Sequence, residues 1–225
     1  DDEGSVCREA LVKTIGLRNE QRLSALAELW LQEAISLDKQ FGGSEHIEAI
    51  LSAYLETARH SYAYLFMTGR TTGMRALEDR TTQVRDYYNY AVQKALTTLF
   101  EYYRRLSPAD VDLDQDAHLH YGNWNLTIRS EELRLADKRR LPDDLIPATL
   151  LSFAGLRNQY KRDGLGAELV ALTSRSVVGM KSTEVPYSET PFPAVTAVMS
   201  FPGANLKEVL ATRNVVITGY DPYSR

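Results

Sequence analysis

Between residue 17 and about residue 106 the apolar positions recur at the spacing of a helix face. Leu23, Leu26, Ala27, Trp30, Leu31 and Ala34 follow the three-, four- and seven-residue steps of one apolar stripe. The break 42-GGS-44 predicts the end of that helix, with Gly as terminator and Ser44 as N-cap of the next. Ile47, Ile50, Leu51, Tyr54, Leu55, Ala58, Tyr62 and Leu65 then repeat the pattern. After 68-TGRTTG-73 a third segment, 74 to 106, carries Leu77, Val84, Tyr87, Tyr88, Ala91, Val92, Ala95, Leu96 and Leu99. Arg75 and Asp79 stand at i, i+4 in it, where a pair adds a few tenths of a kcal/mol. Three helices on short loops predict a bundle or a short helical-repeat stack, without the strict 34-residue period of tetratricopeptide repeats.

Past residue 122 the rhythm shortens. Asn123 to Arg129 and Glu132 to Ala136 alternate as two strands of a hairpin would. The apolar 145-LIPATLLSF-153 contains Pro147, which suits an edge or irregular strand. Stretches 166-GAELVALTS-174, 192-FPAVTAVMSF-201 and 214-NVVITGY-220 are rich in Val, Ala, Thr and Leu and bounded by Gly, Pro or Asn, which predicts strands. Between the last two, 205-NLKEVLA-211 predicts a short helix capped by Asn205. The fold class expected is therefore α+β: a helical domain over 1–109, an acidic connector over 110–122 and a β-rich module over 123–225.

The chain of 225 residues has 44% hydrophobic and 25% charged residues, ordinary values for a globular core. A net charge of −4 gives no basic field of the kind nucleic acid needs. No run of about 18 apolar residues offers a transmembrane segment. The start, DDEGSVCREA, lacks the basic and apolar regions of a signal peptide, and the single Cys7 excludes an internal disulfide.

The most suggestive chemistry is 110-DVDLDQDAHLHYG-122, with Asp110, Asp112, Asp114, Asp116, His118 and His120 at every second position. An EF-hand loop needs Gly at its sixth position and a bidentate Glu at its twelfth; Gln115 and Tyr121 stand there instead. A helical zinc pair needs i, i+4 spacing, which the two histidines lack. Extended, the whole set shares one strand face. The default reading is a hydrated acidic connector, with weak divalent binding as the other.

No G-x-S-x-G elbow occurs. In 42-GGSEH-46, Ser44 is read as a cap rather than a nucleophile, and His60 as a packing or exposed histidine on an aromatic helix. The run 164-GLGAEL-169 lacks the third glycine and the following helix of a dinucleotide site. No cofactor is expected. Two patches remain as ligand or interface candidates. One is 84-VRDYYNYAVQK-94, with Arg85, Asp86, Tyr87, Tyr88 and Tyr90, for which core packing is the default. The other is 153-FAGLRNQYKRDGLG-166, with Arg157, Lys161 and Arg162 between two glycines, where a solvated turn competes with an anion or headgroup contact.

These patches also carry a family resemblance. The stretch 78-EDRTTQVRDYYNYAV-92, then 145-LIPA-148 and 153-FAGLRNQYKRDGLGAELVA-171, resembles the region ahead of the catalytic domain in a group of bacterial α/β-hydrolases. The later 191-PFPAVTAVMSF-201 and 219-GYDPYSR-225 continue the likeness, which covers the chain from about residue 7 onward. Members of that group are often envelope lipoproteins with a Ser-His-Asp domain and a G-H-S-M-G-G elbow downstream. The resemblance implies a periplasmic, non-catalytic N-terminal part of an esterase or lipase. Its partner would be a hydrolase domain of the same polypeptide or of a cleaved second chain. No catalytic residue carries over, because nothing of the downstream domain is in these residues. From the residues alone, a stand-alone helical-repeat interaction module is the alternative.

Overall fold

A computed structural model describes residues 2–42, 46–69, 79–106, 116–129, 144–148, 164–172 and 194–220. Among the described residues, helices come first: α1 (Asp2–Lys13), α2 (Asn19–Phe41), α3 (Ile47–Met67) and α4 (Asp79–Leu106). They are followed by β1 (Ala117–Tyr121), β2 (Trp124–Arg129), β3 (Asp144–Pro147), β4 (Ala167–Leu172), β5 (Ala194–Ser200), the short helix α5 (Leu206–Ala211) and β6 (Asn214–Tyr220). The six strands form one sheet in the order β1-β2-β6-β5-β4-β3. Only β2 and β6 run parallel; every other neighbouring pair is antiparallel. The architecture is α+β, helices first and a mixed sheet after them.

Helix α3 is the centre of the helical layer, packed between α2 and α4. Its residues Ala53 to Ser61 are all buried, including Glu56, Arg59 and His60. A helix buried on every side has partners all round it. On α4 the buried positions Val84, Tyr88, Ala91, Val92, Ala95 and Leu99 keep the predicted steps, and this stripe also meets β3, β4 and β5. Trp30 and Tyr87 are half-buried, while Tyr88 is closed off completely. Full burial of a large apolar side chain contributes roughly 1.5–3 kcal/mol.

One apolar cluster passes through both layers. Leu51, Tyr54, Leu55 and Tyr88 from the helices join Trp124, Leu126, Leu169, Met199, Phe201 and Ile217 from the sheet side. The inward row of β2 and β6 is set by register, with Leu126 beside Val215 and Ile128 beside Ile217. On the other side of the pleat Asn125 faces Asn214 and Thr127 faces Val216.

Several details differ from the sequence reading. Helix α1 lies ahead of residue 17; Arg22 holds its C-terminal end by donating to the carbonyls of Leu11 (3.0 Å) and Thr14 (2.6 Å). The stretch expected to be a connector ends in a strand, because 117–121 pairs back on β2. The hairpin partner of β2 therefore precedes it. Gly122, at φ +52, opens the two-residue turn between them, supplying the positive φ that tight hairpin turns favour. Residues 132–136, 74–78 and Ser44 lie outside the described residues, as does Arg75. Helix α5 conforms, with the Asn205 side chain accepting from the Glu208 amide at 3.0 Å.

Candidate functional site

The tyrosine-rich patch on α4 divides among different surroundings, because consecutive helix positions lie about 100° apart. Tyr88 points into the sheet. Its hydroxyl donates to the Met199 carbonyl at 2.6 Å and accepts from the Met199 amide at 2.9 Å. Strand β4 pairs with β5 only as far as Ala167 opposite Ala197, so Met199 lies beyond the end of that ladder. One phenol thus supplies the donor and the acceptor that a neighbouring strand would have supplied. Burial raises the Tyr88 pKa, so the hydroxyl keeps its proton.

The next residue repeats the device. The Asn89 side chain donates to the Gly164 carbonyl at 2.9 Å and accepts from the Gly166 amide at 2.7 Å. Gly166 has φ +117, and a Cβ there would lie 2.8 Å from the Ala197 carbonyl oxygen. The run 164-GLG-166 is thus the entry to β4, held against a helix, in place of a phosphate loop. Tyr87 faces the α2 side near Glu28 and Arg80, and burial raises its pKa. Tyr90 is 38% exposed and meets Tyr54 edge-on at 6.3 Å. Arg85 lies 3.9 Å from Asp86. Arg85, Asp86, Tyr87, Tyr88 and Tyr90 therefore do not converge on one point. Arg157, Lys161 and Arg162 lie outside the described residues.

A buried charge cluster on α3 has no counterpart in the hydrophobic pattern of the sequence. Glu56 of α3, 5% exposed, takes an ion pair from Arg59 and a second, at 2.5 Å, from Arg213 ahead of β6. Arg59 also donates to the Thr212 carbonyl at 2.9 Å. Both guanidiniums lie over the ring of Trp124, whose indole N–H donates to Ser52 at 3.1 Å. The His60 Nδ1 lies 2.8 Å from the Glu56 carbonyl oxygen and donates to it. Burial pushes the His60 imidazole down to about 4; the Glu56 carboxylate opposes that shift, and the two arginines reinforce it. His60 is a neutral packing histidine at neutral pH. A second lock ties the helices to one another. Asp38 accepts from the Tyr54 hydroxyl at 3.0 Å and from Lys94 Nζ at 2.9 Å, joining α2, α3 and α4.

Of the alternating acidic and histidine stretch, Asp110, Asp112 and Asp114 lie outside the described residues. Asp116, His118 and His120 are exposed at the edge of the sheet. His118 Nδ1 meets the Thr127 hydroxyl at 3.2 Å, and His120 Nδ1 meets Asn125 Oδ1 at 2.8 Å. Among the described residues no three of His, Cys, Asp and Glu gather closely enough to hold a metal. His46 stacks against Phe41, ring centroids 4.3 Å apart. No described serine or cysteine is hydrogen-bonded to an imidazole, and Cys7 is a free, exposed thiol. No described helix is long and apolar enough to cross a membrane.

Comparison of the chain with protein-family models, with curated proteins and with solved structures gives no match.

Proposed function

We propose that this chain is the non-catalytic N-terminal accessory part of a serine α/β-hydrolase of the esterase or lipase type, located in the bacterial envelope. It covers or flanks the active site and docks on the hydrolase domain. One observation supports the scaffold role above the others: several polar groups buried in the helical layer reach across to the sheet side and fix helices to it. Glu56 and Arg59 reach Arg213 and the Thr212 carbonyl ahead of β6, Tyr88 reaches Met199 of β5, and the half-buried Asn89 reaches the entry to β4, while His60 bonds within its own helix. A catalytic carboxylate or imidazole must instead face a cavity where a reacting atom fits. The motif resemblance through 78–92 and 153–171 supplies the link to hydrolases.

The coding frame downstream of Arg225 tests the assignment. A G-x-S-x-G motif within about two hundred codons, on a strand-turn-helix pattern, is the expected result. A stop codon with no such domain encoded beside it overturns the assignment and leaves the stand-alone interaction module.

A further inference from the structure

The spacing of His118 and His120 acquires a different meaning once residues 117–121 are a strand. In a strand, side chains two apart lie on one face with Cα atoms about 6.8 Å apart, so i, i+2 is the neighbouring spacing there, as i, i+4 is in a helix. Both imidazoles are exposed on β1, at the edge of the sheet. Each is also braced by a residue of β2 directly opposite in the register, His118 by Thr127 and His120 by Asn125.

The bracing determines which nitrogen is available. Asn125 donates through Nδ2 to Asn214 Oδ1 at 3.1 Å, which turns its own Oδ1 toward His120. An amide oxygen only accepts, so the His120 proton sits on Nδ1 and the lone pair on Nε2. The Thr127 hydroxyl accepts as well as donates, so His118 can take the same tautomer. A hydrogen bond from one ring nitrogen that leaves the other to a cation is the arrangement by which proteins orient metal-binding histidines. We propose that the outer face of the β1–β2 hairpin is a two-imidazole site for a borderline divalent cation such as Zn²⁺, with His118 and His120 as ligands through Nε2 and Asn125 as the positioning residue for His120.

Water completes the coordination, since no third protein ligand stands close among the described residues. Zn–N bonds of about 2.0–2.1 Å at tetrahedral angles place the two nitrogens about 3.3 Å apart. The ring tips must therefore lean together from their strand spacing, a rotation open to exposed side chains. Imidazole pairs select Zn²⁺ or Cu²⁺ over Mg²⁺ and Ca²⁺, which prefer oxygen.

The test is calorimetric titration of the whole 225-residue chain, carrying Cys7→Ser to remove the exposed thiol, with Zn²⁺ at pH 7.5 and Mg²⁺ as control. One Zn²⁺ per chain is expected. Affinity should fall at least tenfold in His118→Ala and in His120→Ala, and about tenfold or more in Asn125→Ala, which keeps both ligands. Thermal melts of each variant without metal report whether the fold is kept. Long-range ¹H–¹⁵N spectra of the unsubstituted chain should show Zn²⁺ moving the Nε2 signals of His118 and His120 and not those of His46. Absence of binding at millimolar Zn²⁺, unchanged binding in the double variant, or dependence on one histidine alone overturns the site. None of these outcomes bears on the hydrolase assignment.

Discussion

Replacing Tyr88 with Phe removes one oxygen atom from the centre of the protein and nothing else. Tyr88 and Met199 are both 0% exposed, so water cannot take the place of the lost hydroxyl. The Met199 amide and carbonyl, held at 2.9 and 2.6 Å in the native protein, are then both left without that partner. A buried polar group deprived of its partner costs about 1–3 kcal/mol, so two of them cost about 2–4 kcal/mol after partial relaxation. The void left by one oxygen adds little. Against a total stability of about 5–15 kcal/mol this is a large loss. In urea, with a slope of about 1–3 kcal/mol/M, the unfolding midpoint should fall by roughly 1 M or more. Tyr220→Phe is the control, because Tyr220 is 49% exposed and water can replace its hydroxyl; its effect should stay within about 0.5 kcal/mol. Amide exchange at Met199 should accelerate in the Tyr88 variant. If Tyr88→Phe unfolds within 0.5 kcal/mol of the native chain, the phenol does not stand in for a strand, and the reasoning fails.

Other consequences follow from the same seam. Glu56→Gln leaves the buried Arg59 guanidinium without its counter-charge and should destabilise by about 3–5 kcal/mol in urea unfolding. Arg213→Met, removing a side chain 44% exposed, should cost much less, and equal losses would contradict the assignment. The His60 imidazole, at about 4 in the fold against 6.5 ordinarily, binds its proton less readily than in the unfolded chain. Its contribution is complete above pH 6.5 and is lost as pH falls toward 4, by about 3 kcal/mol across that window. His60→Asn keeps a donor toward the Glu56 carbonyl and should flatten that part of the stability–pH curve; an unchanged slope would refute it. Gly166→Ala forces a Cβ onto the Ala197 carbonyl at φ +117 and should lower stability by about 1–3 kcal/mol, measurable as a fall in melting temperature.

Where one face of an element is apolar and the other solvated, the sequence announces it. The α4 stripe from Val84 to Leu99 stands where periodicity placed it, and strand β6 (Asn214–Tyr220) where its β-branched content and bounding residues did. So does α5 with its Asn205 cap, since capping is local. Helix α3 is different. Its stripe of Ile50, Leu51, Tyr54, Leu55 and Ala58 was legible, and His60 stood open between packing and exposure, but nothing local marks Glu56 and Arg59 as buried. They are buried because Arg213, 157 positions away, and Trp124 close over them. No local pattern encodes a partner at that distance. The tyrosine patch was legible as core packing, which Tyr88 fulfils, but its hydrogen bonds were not. Tyr88 and Asn89 also hydrogen-bond to the sheet side, and a hydropathy pattern is blind to that. Gly122 and Asn123 form the turn between β1 and β2, but the acidic run before them disguised an edge strand as a connector, and the hairpin was expected with 132–136 instead. Edge strands commonly carry charge, which discourages pairing with other chains.

The central claim is that these 225 residues shape or shield a reaction without performing one. Treatment of the purified chain with a serine-reactive fluorophosphonate, read by intact mass, tests it most directly. The account predicts an unmodified mass after prolonged exposure and no turnover of short-chain nitrophenyl esters. A stoichiometric phosphonyl adduct mapped to one serine, accompanied by ester cleavage, would contradict it.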